Sequence, residues 1–170
     1  MRGERPTLRM TRMKIRIALF LSLFSAICGV RAASPSGPAA TDTPVKVSVA
    51  VSPQTIGAGS DTVVTVKLDP KPGIKLNKYP KIKLQIPAVA GLVDAAEQSL
   101  GNPAPPPADQ LDANYFHGGI DPLTLTLHLD PQVAKGPHDI RAKLNYFYCV
   151  AASGFCAPFK TELTIPVTIR

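Results

Sequence analysis

The chain has 170 residues, and its 19 basic and 12 acidic side chains give a formal charge of +7. Seven of the basic residues and one acidic residue precede position 33, so the remainder holds 12 basic and 11 acidic side chains, a net charge of +1. That balance excludes the basic footprint expected of a protein that binds nucleic acid. The 18 prolines favour many turns and few long helices.

Residues 1–32 have the pattern of a signal peptide. A basic segment ending at Arg16 is followed by an uncharged apolar run over 17–30, and Val30 and Ala32 are the small residues expected before a cleavage site. The run is shorter than the roughly 20 apolar residues of a membrane helix, and no later segment is long enough. We therefore predict a periplasmic or otherwise exported protein that does not span a membrane once the leader, with Cys28, is removed.

Residues 33–44 are small, polar and rich in proline, which is typical of a flexible linker. The remaining residues, 45–170, are enough for one domain with its own core. Alternation of apolar and polar residues with period two predicts strands in most of this region. The predicted strands are 45–51, 62–68, 81–86, 123–129, 138–148 and 161–169. Pro166 within the last of them indicates a bulge or an edge position.

Two of these strands predict which side chains face the core. Ile82, Leu84 and Ile86 alternate with polar residues on the 81–86 strand. The strand at 138–148 places its apolar residues on one face in the same way: Ile140, Ala142, Leu144 and Tyr146. Since no alternation of strands with helices is visible, the pattern favours an all-β fold, an immunoglobulin-like antiparallel β-sandwich.

Residues 87–122 are the exception, because their pattern is weak. The spacing of Val89, Leu92, Val93, Ala96 and Leu100 predicts one short amphipathic helix, and the prolines of 103–107 predict an exposed connection. A loop this long in a compact domain is often functional.

Other polar residues give no second site. The three histidines, His117, His128 and His138, are not spaced as metal ligands, and no cofactor motif occurs. The lysines form one cluster, which suits either a solvated strand face or a docking patch for an acidic partner: Lys71, Lys75, Lys78, Lys81 and Lys83.

Two cysteines close in sequence, Cys149 and Cys156, are the strongest chemical feature. In an exported protein they predict one disulfide. Cys149 ends one predicted strand and Cys156 precedes the next, so the two would face each other across a hairpin, about 4.5 to 5.5 Å apart. A structural staple, worth roughly 2.5 kcal/mol for so short a loop, and a redox pair both fit. No Cys-x-x-Cys motif or thioredoxin-like pattern decides between them.

The segment 148–158, Tyr-Cys-Val-Ala-Ala-Ser-Gly-Phe-Cys-Ala-Pro, resembles the cysteine hairpin of the N-terminal periplasmic domain of the bacterial thiol–disulfide interchange reductase DsbD. The earlier segment 72–77, Pro-Gly-Ile-Lys-Leu-Asn, is compatible, and the resemblance covers about residues 45–169. It implies an immunoglobulin-like domain without a cofactor, in which Cys149 and Cys156 are the redox pair. It also implies that Tyr115 and Phe116 belong to an aromatic cap loop over the cysteines.

The resemblance implies partners as well, namely thioredoxin-fold redox proteins and, as a further candidate, a membrane electron carrier. The chain departs from the family in having one more residue between its cysteines and a Pro-rich stretch at 101–110 that looks like an insertion. Since it has sequence for one domain only, both the donor and the acceptor of electrons would be separate proteins.

The predicted function is thus thiol–disulfide exchange, an electron-transfer activity that proceeds through a mixed disulfide. The family pattern favours Cys156 as the attacking cysteine, and Lys143 and Lys160 are the nearest cations in sequence. The alternative is a non-enzymatic protein-interaction module of the same fold with a structural disulfide, which would bind through a sheet edge or the 87–122 loop.

Overall fold

The computed structural model describes residues 43–170. The predicted signal peptide, Cys28 and residues 33–42 of the predicted linker lie outside the described residues. The described chain consists of nine strands and one turn of 3-10 helix at Leu111–Asn114. The strands are β1 (Val45–Ser52), β2 (Thr55–Ile56), β3 (Asp61–Pro70), β4 (Ile74–Leu76), β5 (Ile82–Ile86), β6 (Ala96–Leu100), β7 (Leu123–His128), β8 (Gly136–Val150) and β9 (Cys156–Ile169).

The strands form two sheets. The smaller sheet has the order β1-β3-β7, and the larger has the order β2-β9-β8-β5-β6, with β4 also paired to β8. All pairs are antiparallel except the short β2–β9 pair, which is parallel at Thr55↔Thr168 and Ile56↔Ile169. The predicted all-β, sandwich-like fold is confirmed. Within residues 43–170, no helix is long and apolar enough to cross a membrane.

The core lies between the sheets and follows the predicted alternation. Ile82, Leu84 and Ile86 are buried, as is the other predicted set on β8: Ile140, Ala142, Leu144 and Tyr146. The smaller sheet contributes the inward residues of β3 and β7, such as Val64, Val66 and Leu125. Since each strand buries alternate residues, the opposite face of each is free to carry polar side chains.

The predicted helix within 87–122 is wrong. Ala96 to Leu100 form β6, which pairs with β5 from Ile86↔Ala96 to Ile82↔Leu100, and Val89 and Val93 form a separate backbone bridge. An isolated helix of this length is marginal in water, whereas the edge of β5 offers a complete row of backbone partners. Tertiary pairing therefore decides the structure of this segment.

Pro166 lies at an edge position, one of the two that its sequence predicted. The register of β8 with β9 runs without interruption from Gly136↔Ile169 to Cys149↔Cys156, so β9 has no bulge at the proline. On its other side β9 pairs with β2 only at Thr168 and Ile169. The missing N–H of Pro166 is therefore tolerated there.

Candidate thiol–disulfide site

Cys149 and Cys156 form a disulfide where β8 ends and β9 begins. The two residues are direct cross-strand partners, their Cα atoms are 4.0 Å apart, and the S–S bond is 2.04 Å long. The predicted disulfide is therefore present, in the predicted hairpin.

The disulfide lies on the outer face of the larger sheet. On β8 the buried residues Leu144, Tyr146 and Tyr148 point into the core, so Cys149, one residue further along, points away from it. An outward residue at the end of a hairpin would ordinarily be exposed, and Cys156 is exposed. Cys149, in contrast, is only 4% exposed. The two cysteines of one disulfide thus differ strongly in their exposure to solvent.

Cys149 is covered from the side of β4. Lys75 of β4 pairs with Cys149, on the opposite side of β8 from Cys156. The backbone N–H of Asn77 then donates to the carbonyl of Phe147 at 3.0 Å, which continues the pairing past the end of β4. Asn77 is buried, and its Oδ1 lies 3.5 Å from Cys149 Sγ.

The rest of the cover comes from residues 111–117. Tyr115 forms a backbone bridge with Asn77, and its hydroxyl donates to Cys149 Sγ at 3.6 Å. Phe116 N–H donates to the carbonyl of Leu76 at 3.0 Å. These contacts hold the tyrosine ring over the outer face of the sheet beside the disulfide.

The cover is anchored by the side chain of Asn114. Its Oδ1 accepts from Tyr79 N–H, and its Nδ2 donates to the Tyr79 carbonyl, both at 2.9 Å. The carbonyl of Asn114 also accepts from Lys78 N–H at 2.6 Å. A reciprocal pair of this kind fixes the backbone just before Tyr115, so the position of the tyrosine does not depend on its contact with sulfur alone.

The two residues of the predicted aromatic cap loop point to opposite faces. Tyr115 contacts Cys149, whereas Phe116 packs against the hydrophobic core. Each ring has a lysine ammonium above it: Lys75 Nζ is 4.7 Å from the centre of the Tyr115 ring, and Lys78 Nζ is 5.9 Å from that of Phe116. Of the two, only Tyr115 is placed by these contacts at the disulfide.

Sequence reasoning did not place Asn77 and Lys75 beside Cys149, although Lys75 belongs to the predicted lysine cluster. They precede Cys149 by more than 70 residues in the chain, and β4 has only three residues, too few for alternation to reveal a strand. Their segment, 72–77, does carry part of the family resemblance, which is the one signal that pointed to it. Lys143 and Lys160 lie further along the hairpin; Lys160 is four strand residues from Cys156, about 13 Å at the usual strand rise.

The remaining polar candidates lie apart from the cysteines or have local partners. His128 Nδ1 is 2.7 Å from Asp61 Oδ1, and His138 Nε2 is 2.7 Å from the carbonyl oxygen of Ala134. Within the described residues, no group of three or more His, Cys, Asp or Glu side chains could hold a metal ion. Two members of the predicted lysine cluster have acidic partners, since Lys75 pairs with Asp112 and Lys83 with Glu97.

Comparison of this chain with protein-family models, curated proteins and solved structures found no match. The resemblance to the DsbD domain therefore rests on the residues quoted for it above.

Proposed function

We propose that this chain is an exported disulfide-exchange protein, which passes reducing equivalents between thioredoxin-fold partners through Cys149 and Cys156. The observation that carries the proposal is the unequal exposure of the two cysteines. Cys156 is exposed, while Cys149 is covered by Asn77 and Tyr115. Thiol–disulfide exchange depends on which sulfur a partner can reach, and the exposure of the two residues makes Cys156 the one that is attacked.

The exchange follows from this geometry. A thiolate of the partner attacks Cys156 Sγ, the S–S bond breaks, and Cys149 leaves as a thiolate while a mixed disulfide forms at Cys156. The hydroxyl of Tyr115, which donates to Cys149 Sγ, stabilises that leaving thiolate. The second thiol of the partner then attacks the partner's own sulfur in the mixed disulfide, so the partner becomes a disulfide and Cys156 leaves as a thiolate. Once both cysteine sulfurs have taken up the protons that the partner's two thiols gave up, this chain is a dithiol. The reverse sequence oxidises the dithiol and reduces the partner.

The surroundings of Cys156 suit a docking partner. Phe155 directly precedes it and is 44% exposed, so an apolar side chain lies next to the accessible sulfur. The ring of Phe155 packs edge-on against Tyr148, with the ring centres 6.4 Å apart, which holds it at the hairpin tip. A partner that reached Cys156 would bury this ring as well, and apolar burial contributes to association.

The hairpin does not depend on a disulfide to hold its two strands together. β8 and β9 are paired along all 14 residues of β9, so the strands are held together along their length without a covalent link. The described domain also has a continuous core of its own. The resemblance of residues 148–158 to the DsbD hairpin and the position of Tyr115 support the same proposal.

The proposed disulfide exchange can be tested by trapping mixed disulfides. In a chain that carries Cys28→Ser, Cys149→Ser leaves the exposed Cys156 as the single thiol, and Cys156→Ser leaves the covered Cys149. We expect the Cys149→Ser chain to form a mixed disulfide with an oxidised thioredoxin-fold protein at least roughly ten times faster than the matched Cys156→Ser chain, because access to the sulfur limits the reaction. Non-reducing electrophoresis and mass spectrometry would measure both rates.

The alternative, an interaction module with a structural disulfide, predicts another result. Thioredoxin-fold dithiols would not reduce Cys149–Cys156 in the folded protein, and neither single-cysteine chain would be trapped. Replacement of both cysteines by Ser would then cost up to about 2.5 kcal/mol of unfolding free energy, the chain-entropy value for a loop of this size. That pair of results would reject the proposed function.

A further inference from the structure

We propose that Asn77 is a positioning residue that shifts the equilibrium of the Cys149–Cys156 couple toward the dithiol. Asn77 is 7% exposed, and its Oδ1 lies 3.5 Å from Cys149 Sγ. Asn77 belongs to the segment that continues β4 alongside β8, so its place relative to the sulfur is set by backbone pairing. The inference concerns the cysteine pair of the proposed function and in that sense rests on it.

The hydrogen bonds of Asn77 differ between the two redox states. In the disulfide, Cys149 Sγ carries no hydrogen and cannot donate. Within residues 43–170, no group other than this sulfur lies in hydrogen-bonding position to Asn77 Oδ1. In the oxidised protein the amide oxygen of this largely buried residue therefore has no donor from the described chain, and an unpaired buried polar group costs free energy.

Reduction supplies the missing donor. When a dithiol reductant gives two electrons and two protons, the S–S bond breaks and one proton comes to rest on each cysteine sulfur, while the reductant becomes a disulfide. The new S–H of Cys149 points to Asn77 Oδ1 at a distance suitable for a sulfur donor. The Tyr115 hydroxyl donates to the same sulfur, so the three groups form a short chain of hydrogen bonds from Tyr115 through Cys149 to Asn77.

Two effects of Asn77 therefore act in the same direction. Its oxygen destabilises the disulfide, because it lacks a donor there, and stabilises the dithiol, because it accepts the thiol proton. Removing the amide should favour the disulfide on both counts. A residue with a purely structural role would destabilise both redox states alike and leave their equilibrium unchanged.

The test is the equilibrium with dithiothreitol, measured on the full chain with Cys28→Ser so that Cys149 and Cys156 are its only thiols. We expect Asn77→Leu, which has similar size and no amide, to shift the equilibrium constant about tenfold toward the disulfide. For a two-electron couple that is about 30 mV. The matched control is Asn145→Leu. Asn145 is an asparagine on the outer face of the same sheet, but it lies on β8 opposite Lys83 and Lys160, so its replacement should leave the constant unchanged.

A second measurement needs no substitution of Asn77, in case the leucine variant does not fold. In the reduced chain with Cys28→Ser and Cys156→Ser, Cys149 is the only thiol, and its S–H stretching band in the infrared reports its hydrogen bond. We expect the band at the lower frequency of a hydrogen-bonded thiol. A band at the frequency of a free thiol, or an unchanged dithiothreitol equilibrium in Asn77→Leu, would overturn the inference. Neither experiment involves a thioredoxin-fold protein, so this inference and the proposed function can fail separately.

Discussion

The end of β8 buries polar atoms on both of its faces, by different means. On the core face, Tyr146 is packed between the sheets, and its ring stacks on Phe159 with the ring centres 5.1 Å apart. Its hydroxyl is buried and has no hydrogen-bond partner within the described residues. Burial, followed by the nearby charge of Tyr148, raises the pKa of the Tyr146 phenol well above its usual value. This polar atom is buried as a consequence of apolar packing.

On the outer face the polar atoms are buried together. Cys149 would be open to solvent on a bare sheet, yet Asn77 and Tyr115 cover it, and each places a polar atom next to its sulfur. The covering groups come from β4 and from residues 111–117, both remote from the cysteine in sequence. On this strand the buried sulfur thus has polar neighbours because a second segment brings them onto the sheet, whereas the Tyr146 hydroxyl on the core face has none within the described residues.

Substitutions at the adjacent residues Tyr115 and Phe116 should distinguish burial on the outer face from burial in the core. The largest expected effect is that of Tyr115→Ala on the alkylation rate of Cys149. In the reduced chain with Cys28→Ser and Cys156→Ser, we expect Tyr115→Ala to raise the rate of alkylation of Cys149 by iodoacetamide at least about tenfold, because access to the thiolate limits the reaction. The free energy of unfolding should fall by only about 1 kcal/mol, since the ring is half-buried and lies on the outer face.

Phe116→Ala is the matched control, because Phe116 is adjacent but packs against the core. It should cost about 2 kcal/mol of unfolding free energy, in line with the loss of a partly buried aromatic side chain, and change the alkylation rate much less. Equal rates in the Tyr115→Ala and unsubstituted chains would mean that Asn77 and β4 alone protect the sulfur, and that residues 111–117 are not its cover.

The residues of the core face could be predicted from the sequence, because the alternation of apolar and polar residues within each strand shows which of its side chains are buried. Polar residues alternate with Ile82, Leu84 and Ile86 on β5 and with the buried residues that start at Ile140 on β8. This alternation is visible in the sequence without knowing which strands pair with each other. The hairpin and its disulfide follow from the same local information, since Cys149 and Cys156 are separated by one turn.

The cover could not be predicted in the same way. β4 has three residues, and Tyr115 reaches Cys149 from an irregular segment, so neither carries a periodic signal. The helix predicted near Val89 fails for a related reason, because the edge of β5, not the sequence of 96–100, makes that segment a strand. The family resemblance pointed to Tyr115 and to the segment of Asn77, but the contact of Asn77 with sulfur depends on strand register, which is a property of the folded chain.

Tyr146→Phe tests the polar atom buried on the core face, and its expected effect on the free energy of unfolding is smaller. If the buried hydroxyl has no partner, its removal leaves no donor or acceptor unpaired, so we expect the free energy of unfolding to stay unchanged or to rise by up to about 1 kcal/mol. Urea denaturation of the oxidised chain would measure it. A loss of more than about 1 kcal/mol would show that the hydroxyl is hydrogen-bonded in solution, in which case the core face has a polar partner after all.

The smallest effect is expected on the uncovered part of the outer face, at Glu97 of β6. The ammonium of Lys83, which donates to the carboxylate at 2.9 Å, and then the amide of Gln85 hold the pKa of Glu97 below its usual value. Since the folded pKa is the lower one, the carboxylate stabilises the fold above its unfolded pKa, and this contribution is lost as the pH falls through the folded pKa. Lys83→Met should therefore raise the pKa of Glu97 toward its usual value, as measured by NMR titration.

The matched control is Lys81→Met, which removes a lysine just before β5 and should leave the pKa of Glu97 in place. An unchanged pKa in Lys83→Met would mean that Gln85 alone holds the carboxylate. In either case stability near neutral pH should hardly change, because ion pairs between exposed side chains contribute little. Polar contacts on the open sheet surface are then nearly neutral for folding. We expect the contacts buried beside Cys149 to affect its redox equilibrium instead, because water does not readily replace a missing partner at a buried site.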